Sequence, residues 1–315
     1  KRRAANRKEK VRPPTLAELT RVFENEEEVA AYIDKYNGKY ILIDKAEGQK
    51  LYEQIMNANH KKMTRLELIH ASMSGQLQNY DFNYDDAYAN VIKDFAKPVE
   101  VTNPKELTGE LRPYQMTGLK WLWTNVSKGF GCCMADDMGL GKTLQALTLL
   151  QKAKDEDGAM PTLVICPTSV VFNWESEIQK FTPELTCLKL SGTERKSLFK
   201  EIPNYDIVIT SYALVRRDIE KLRKINFRYI ILDESQNIKN ALSQTAQAVK
   251  TLNAPHKLAL SGTPIENKLE ELWSVFDFLM PGFLFNISEF NFRYVNPIME
   301  RADKTVEKRL KLQIY

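Results

Sequence analysis

The sequence predicts an α/β fold, a parallel sheet with helices on both faces, preceded by a smaller α-rich unit. Three observations carry this expectation. After Pro104, short β-branched runs alternate with longer helical ones. A glycine-rich turn joins the first of these runs to a helix, and two adjacent acids, Asp233 and Glu234, end a later apolar run. Strand–helix alternation demands crossover connections, which place parallel strands beneath helices on either side. In such sheets a ligand sits beyond the carboxyl ends of the strands, where the polar motifs of this chain fall.

The first residues, 1–12, form a basic tail, KRRAANRKEKVR, without the apolar run of a secretory signal. The tail reads as a solvated end or as an arm that touches nucleic acid. It does not begin with Met, which suggests a fragment. Residues 13–104 read as an accessory α-rich domain. Within it ELTRVFENEEEVAAYIDKY has amphipathic helical spacing, and KYILID alternates as a short strand. His60 and His70 stand isolated there, and no catalytic constellation is evident.

Residues 105–297 carry the alternating pattern. Strands are expected at GCCMA, TLVIC, CLKL, DIVIT, RYIILD and KLALS, with helices at KTLQALTLLQKAK, SVVFNWESEIQKF and AQAVKTLN. Residues 298–315 read as a helical segment. The composition, 43% hydrophobic and 27% charged, suits a folded core. A net charge of +4 is too mild to bind nucleic acid by bulk charge, so any such contact must come from a local patch. Four cysteines without C-x-x-C spacing, and three histidines, make a zinc site improbable and fit a reducing compartment. That compartment is expected to be the cytoplasm, beside the nucleoid, in a bacterium or archaeon and the nucleus in a eukaryote. No apolar run is long enough to span a membrane.

The strongest local signal is GCCMADDMGLGKTLQ. The stretch Asp136 to Leu144 includes Met138, Gly139, Leu140, Gly141, Lys142 and Thr143. Glycines let backbone N–H groups curl around phosphate oxygens, and the following helix points its positive end at the same anion. Lys142 is placed to reach the β- and γ-phosphates of ATP, and the Thr143 hydroxyl to hold Mg²⁺. Asp136 occupies the position where such loops usually begin with Gly. Further along, Asp233 is a candidate for the Mg²⁺ shell and Glu234 for the base that activates water.

DDMGLGKT, DESQNIKN and LSGTPIEN together resemble the helicase-type ATPases of superfamily two, and most closely the SWI/SNF (sucrose-non-fermenting) family of DNA translocases. LRPYQMTGLKWL, CPTSVVFNWESEIQKF, TSYALVRRD and ELWSVFDFLMPGFL extend the likeness over about Leu111 to Pro297, and Asn-Ile-Lys-Asn resembles its bacterial and archaeal branch. The resemblance implies a RecA-like P-loop lobe that binds ATP and Mg²⁺ and acts on double-stranded DNA. It implies that Gln115, with Arg112, meets the adenine edge. Gln236 is implied to face the γ-phosphate and the coupling motif Ser261-Gly262-Thr263. Pro167, Thr168, Ser169, Asn173 and Trp174, with Thr210, Ser211 and Tyr212, are implied to touch the DNA backbone. Trp174 also reads as the buried side of an amphipathic helix, and Tyr212 as packing. Ser235 stands where Ala is commoner, and Phe285 where Gly is. A second lobe is expected to follow Tyr315 and to supply an arginine finger, so the chain alone is expected to turn over little ATP. A monomer that displaces DNA-bound protein is the first reading. A nucleotide-gated binding module and an RNA helicase are the alternatives.

Overall fold

A computed structural model describes residues 32–36, 39–43, 101–262 and 268–314. The chain forms two compact units, Lys1–Arg65 and Leu66–Tyr315. In the first, β1 (Tyr32–Tyr36) pairs antiparallel with β2 (Lys39–Ile43), in a register that sets Tyr36 opposite Lys39. β2 was expected. β1 corrects the helical reading of YIDKY, which is strand. The signal was present as Asn37-Gly38, a pair that favours the tight turns of two-residue hairpins. Of the rest of the expected α-rich domain, only residues 101–104 are described, and they form neither helix nor strand.

The second unit is built on six parallel strands in the order β3-β8-β7-β4-β6-β5. They are β3 (Cys132–Met134), β4 (Thr162–Cys166), β5 (Cys187–Lys189), β6 (Ile207–Ser211), β7 (Tyr229–Asp233) and β8 (His256–Leu260). Each expected strand is present. β4 and β6 are buried along their whole length, because helices cover both faces and every side chain meets apolar surroundings.

Alternate residues feed two cores. Val164, Cys166, Ile209 and Ile231 pack with α1 (Pro113–Ser127), α2 (Lys142–Asp157) and α3 (Val171–Phe181). Leu163, Ile165, Ile230 and Leu232 face the other way. On that side lie α5 (Tyr212–Leu222), α6 (Gln244–Lys250) and α7 (Leu269–Leu279), with the short α4 (Arg195–Leu198) nearer the sheet edge. Beyond α7 come α8 (Ile287–Phe290), a π turn, α9 (Asn296–Arg301) and α10 (Lys304–Ile314). Phe290, Tyr294 and Leu310 anchor this segment in the second core.

The sheet order decides what meets at the carboxyl edge. β8 lies between β3 and β7, so the loops after all three share one end. The loop after β4 and the junction of β6 with α5 continue that edge on the other side of β7. Among the described residues no helix is long and apolar enough to cross a membrane.

Candidate nucleotide site and the loops beside it

The loop after β3 turns on Gly139 (φ 84°) and Gly141 (φ 78°), both in left-handed conformations that side chains with a Cβ avoid. A Cβ on Gly141 would stand 2.6 Å from Gln115 Nε2. That nitrogen donates to the Leu140 carbonyl at 3.3 Å, and Gln115 Oε1 accepts from the Arg112 amide at 3.0 Å. Buried Gln115 is thus a strut between the start of α1 and the glycine loop, while Arg112 is exposed. Lys142 Nζ donates to the Asp136 and Asp137 carbonyls at 2.7 and 3.0 Å. Asp136 is tied in turn, its Oδ2 accepting from Gln145 Nε2 at 3.3 Å. Met138 and Leu140 are exposed, and Thr143 and Leu144 open the first turn of α2 half-buried.

Asp233 ends β7 and receives a donor at each carboxylate oxygen. Glu234 N donates to Oδ1 at 3.0 Å and Trp174 Nε1 to Oδ2 at 2.8 Å. Burial pushes the Asp233 pKa up, and the indole, the Glu234 amide and Lys142 pull it back. Glu234 sits at φ 50°, a conformation uncommon outside glycine, which turns the chain sharply out of the strand. Its Oε2 accepts from Gln236 Nε2 at 2.8 Å, and Gln236 Oε1 accepts from Ser261 Oγ at 3.1 Å. Ser261 N donates to Met134 O at 3.1 Å, so this chain of bonds returns to the strand that feeds the glycine loop. Gly262 follows, with Met138 Cγ 3.1 Å from where its Cβ would stand. Thr263 lies outside the described residues.

The loops after β4 and β6 are divided. Thr168, Ser169 and Asn173 are exposed, and Pro167 half-buried. Four other residues expected to touch DNA point inward. Trp174 is 1% exposed. Thr210 is 2% exposed and donates from Oγ1 to the Leu190 carbonyl at 3.3 Å. Ser211 is 5% exposed, and Tyr212, 6% exposed, donates from Oη to the Asp233 carbonyl at 2.8 Å. The inward placement has a simple cause. Thr210 and Ser211 end a fully buried strand, and the two aromatic rings fill core on the covered sides of their helices. The exposed cations nearby are Arg216 and Arg217 on α5, which the motif reading passed over. Their signal was the Arg pair in ALVRRD, placed on the open side of an amphipathic helix.

Comparison with known proteins agrees with this fold. The chain is 37% identical over 282 residues to YwqA of Bacillus subtilis, a protein named for ATP-dependent helicase/translocase activity; the match covers 85% of this chain and 30% of that protein. It is 40% identical over 228 residues to the TATA-binding protein-associated factor MOT1 of Saccharomyces cerevisiae, covering 68% of this chain and 12% of that one. The chain therefore spans less than a third of the length of these relatives. A solved Sulfolobus solfataricus SWI2/SNF2 ATPase core in complex with dsDNA superposes with a TM-score of 0.64 at 42% identity, covering 69% of this chain and 45% of that one. The same core domain solved separately gives a TM-score of 0.61. The sheet and its flanking helices are those of a RecA-like ATPase core. The family described as SNF2-related domain matches residues 114–313, more than half of the chain, and the chain belongs to that family.

Proposed function

We propose that this chain is the first ATP-binding lobe of a motor that hydrolyses ATP to move along double-stranded DNA. The observation that carries the reading is the bond chain Glu234–Gln236–Ser261, which starts beside Asp233 and ends at the strand of the glycine loop. A base whose partner also touches the next strand end can report nucleotide state away from the phosphates. The archaeal core solved with dsDNA supports duplex as the track, and MOT1, named as a factor associated with TATA-binding protein, supports a DNA-bound protein as the thing displaced.

The residues divide the work. In the loop, backbone N–H groups and the start of α2 hold the phosphates, and Lys142 exchanges two neutral carbonyls for charged phosphate oxygens, a stronger partnership. The donor set fits Mg²⁺. Thr143 and Asp233 offer hard oxygens, and Lys142 lies close enough to Asp233 to act on its charge. No cluster of three His, Cys, Asp or Glu exists among the described residues, so a cation would share few protein ligands with the phosphates, as Mg²⁺ does with nucleotides. When bound, Mg²⁺ neutralises charge on the transferred phosphoryl group. Glu234 holds the attacking water and takes its proton, with Gln236 fixing the carboxylate that does so. Arg112 is exposed beside Gln115 and free to meet the adenine edge. Thr168, Ser169, Asn173, Arg216 and Arg217 offer hydroxyl, amide and cationic contacts to DNA phosphates, which position without reading sequence.

The test uses the full-length protein with both lobes. Lys142→Ala is expected to weaken ATP binding roughly 10- to 100-fold, as loss of a charged hydrogen-bond partner does. Glu234→Gln is expected to keep ATP affinity and lose about 10²-fold or more in turnover, because only the base changes. Duplex DNA, and not single-stranded RNA, is expected to stimulate the parent. Undiminished hydrolysis by Glu234→Gln would remove Glu234 from its role. Stimulation by RNA alone would replace the translocase with an RNA helicase.

A further inference from the structure

Asp233 is gripped from both faces of the sheet. Trp174 belongs to the core beneath α1, α2 and α3, and Tyr212 to the opposite core. Each stands in the first turn of its helix, Trp174 after the loop that follows β4 and Tyr212 directly at the end of β6. The indole N–H takes the carboxylate and the phenol O–H takes the backbone carbonyl, both at 2.8 Å. Neither ring reaches the surface. Phenylalanine would fill both places as core. What Trp and Tyr add is one donor each, and both donors end on the same acid.

We propose that Trp174 and Tyr212 are positioning residues that couple the loop after β4 and the first turns of α5 to Asp233. The inference rests on the reading of Thr168 and Ser169 after β4, and of Arg216 and Arg217 on α5, as duplex-facing. Thr168 and Ser169 lead straight into α3, and Ser211 is the residue immediately before α5. A phosphate seated on exposed Thr168 or Ser169, or on exposed Arg216 and Arg217 one turn into α5, therefore bears on a helix whose first turn holds Asp233. Hydrogen bonds weaken steeply as they lengthen or bend, so a few tenths of an ångström at the loop alters how the carboxylate is aimed. Residues that orient a metal's ligand commonly matter nearly as much as the ligand itself. The coupling acts on the hydrolytic centre from the side opposite the Gln236–Ser261 chain, so the two routes are separable by mutation.

The test takes Trp174→Phe and Tyr212→Phe in the full-length protein, with Ile178→Val, a buried change on the same helix α3, as the packing control. First, binding of a non-hydrolysable ATP analogue is titrated with Mg²⁺ and with EDTA. Mg²⁺ is expected to strengthen binding less in Trp174→Phe than in the parent, by roughly 10-fold, and equally in Ile178→Val. Second, turnover is measured with and without duplex DNA, alongside duplex affinity. Tyr212→Phe is expected to lose about fivefold of the stimulation ratio, the worth of one ordinary hydrogen bond, at unchanged duplex affinity. If duplex DNA does not stimulate the parent, the translocase reading fails and with it the coupling. If the parent is stimulated and both variants keep its ratio and its Mg²⁺ dependence, the coupling alone is overturned. Tyr212→Phe removes a single oxygen, so it decides the matter even if Trp174→Phe does not fold.

Discussion

Ser235 follows the two acids, is 0% exposed, and its Oγ has no hydrogen-bond partner among the described residues. A buried hydroxyl without a partner costs about 1–3 kcal/mol, and alanine removes the oxygen without adding an atom. Ser235→Ala is expected to raise the unfolding free energy by about 1 kcal/mol, read as a higher midpoint in urea at unchanged slope. A lower midpoint would show that the hydroxyl is satisfied in solution. Phe285 is the other departure from the family pattern. It sits at φ 61°, where glycine is at ease, and Trp273 Nε1 donates to its carbonyl at 3.1 Å. The Arg293 guanidinium lies 4.4 Å from its ring, so contacts that glycine lacks offset the backbone cost. Cys132, Cys133 and Cys166 are held by burial at about pKa 12, which keeps the thiols protonated and poorly nucleophilic.

At the scale of an element, β8 shows how a strand start can make stability depend on pH. His256 opens β8 opposite Tyr229 of β7, with ring centroids 4.8 Å apart. Burial lowers its pKa from the ordinary 6.5, Arg228 lowers it further, and Asp157 partly opposes both. The folded state thus releases this proton more readily than the unfolded chain does. As pH falls below 6.5, the unfolded chain takes up a proton that the folded one refuses, and stability declines until the lowered value is passed. Urea unfolding at pH 7.5 and 5.5 is expected to show the loss, and His256→Gln to lessen it. An identical loss in that variant would assign the effect to other groups.

For the chain as a whole, a net charge of +4 leaves little long-range pull on DNA, so the proposed function assigns contact to the local edge of Thr168, Ser169, Asn173, Arg216 and Arg217. Phosphate contacts release counterions and carry no sequence information. Duplex affinity of the full-length protein is therefore expected to fall steeply with salt, with a log–log slope near 0.9 per neutralised phosphate, and to vary little with sequence. Arg216→Ala with Arg217→Ala is expected to shallow that slope by about 2. A slope untouched by the pair would move the track elsewhere on the lobe.

The sequence by itself determined the order of strands and helices after Pro104, because buried β-branched runs and amphipathic spacing are local properties. It also determined the glycine turn after β3 and the acid pair that ends β7, since glycine conformations and strand-end carboxylates are legible in a few adjacent residues. It left the hairpin at Tyr32–Ile43 half-read, because YIDKY continues a helical spacing that only pairing with Lys39–Ile43 overrides. Only the tertiary structure decided which side of each motif faces out. Burial depends on which element covers a face, and that set Trp174, Thr210, Ser211 and Tyr212 facing inward. It also decided that Trp174, Tyr212 and Asp233 meet, because sheet order sets β4 beside β7 and β6 beyond it, joining residues remote in sequence at one strand end.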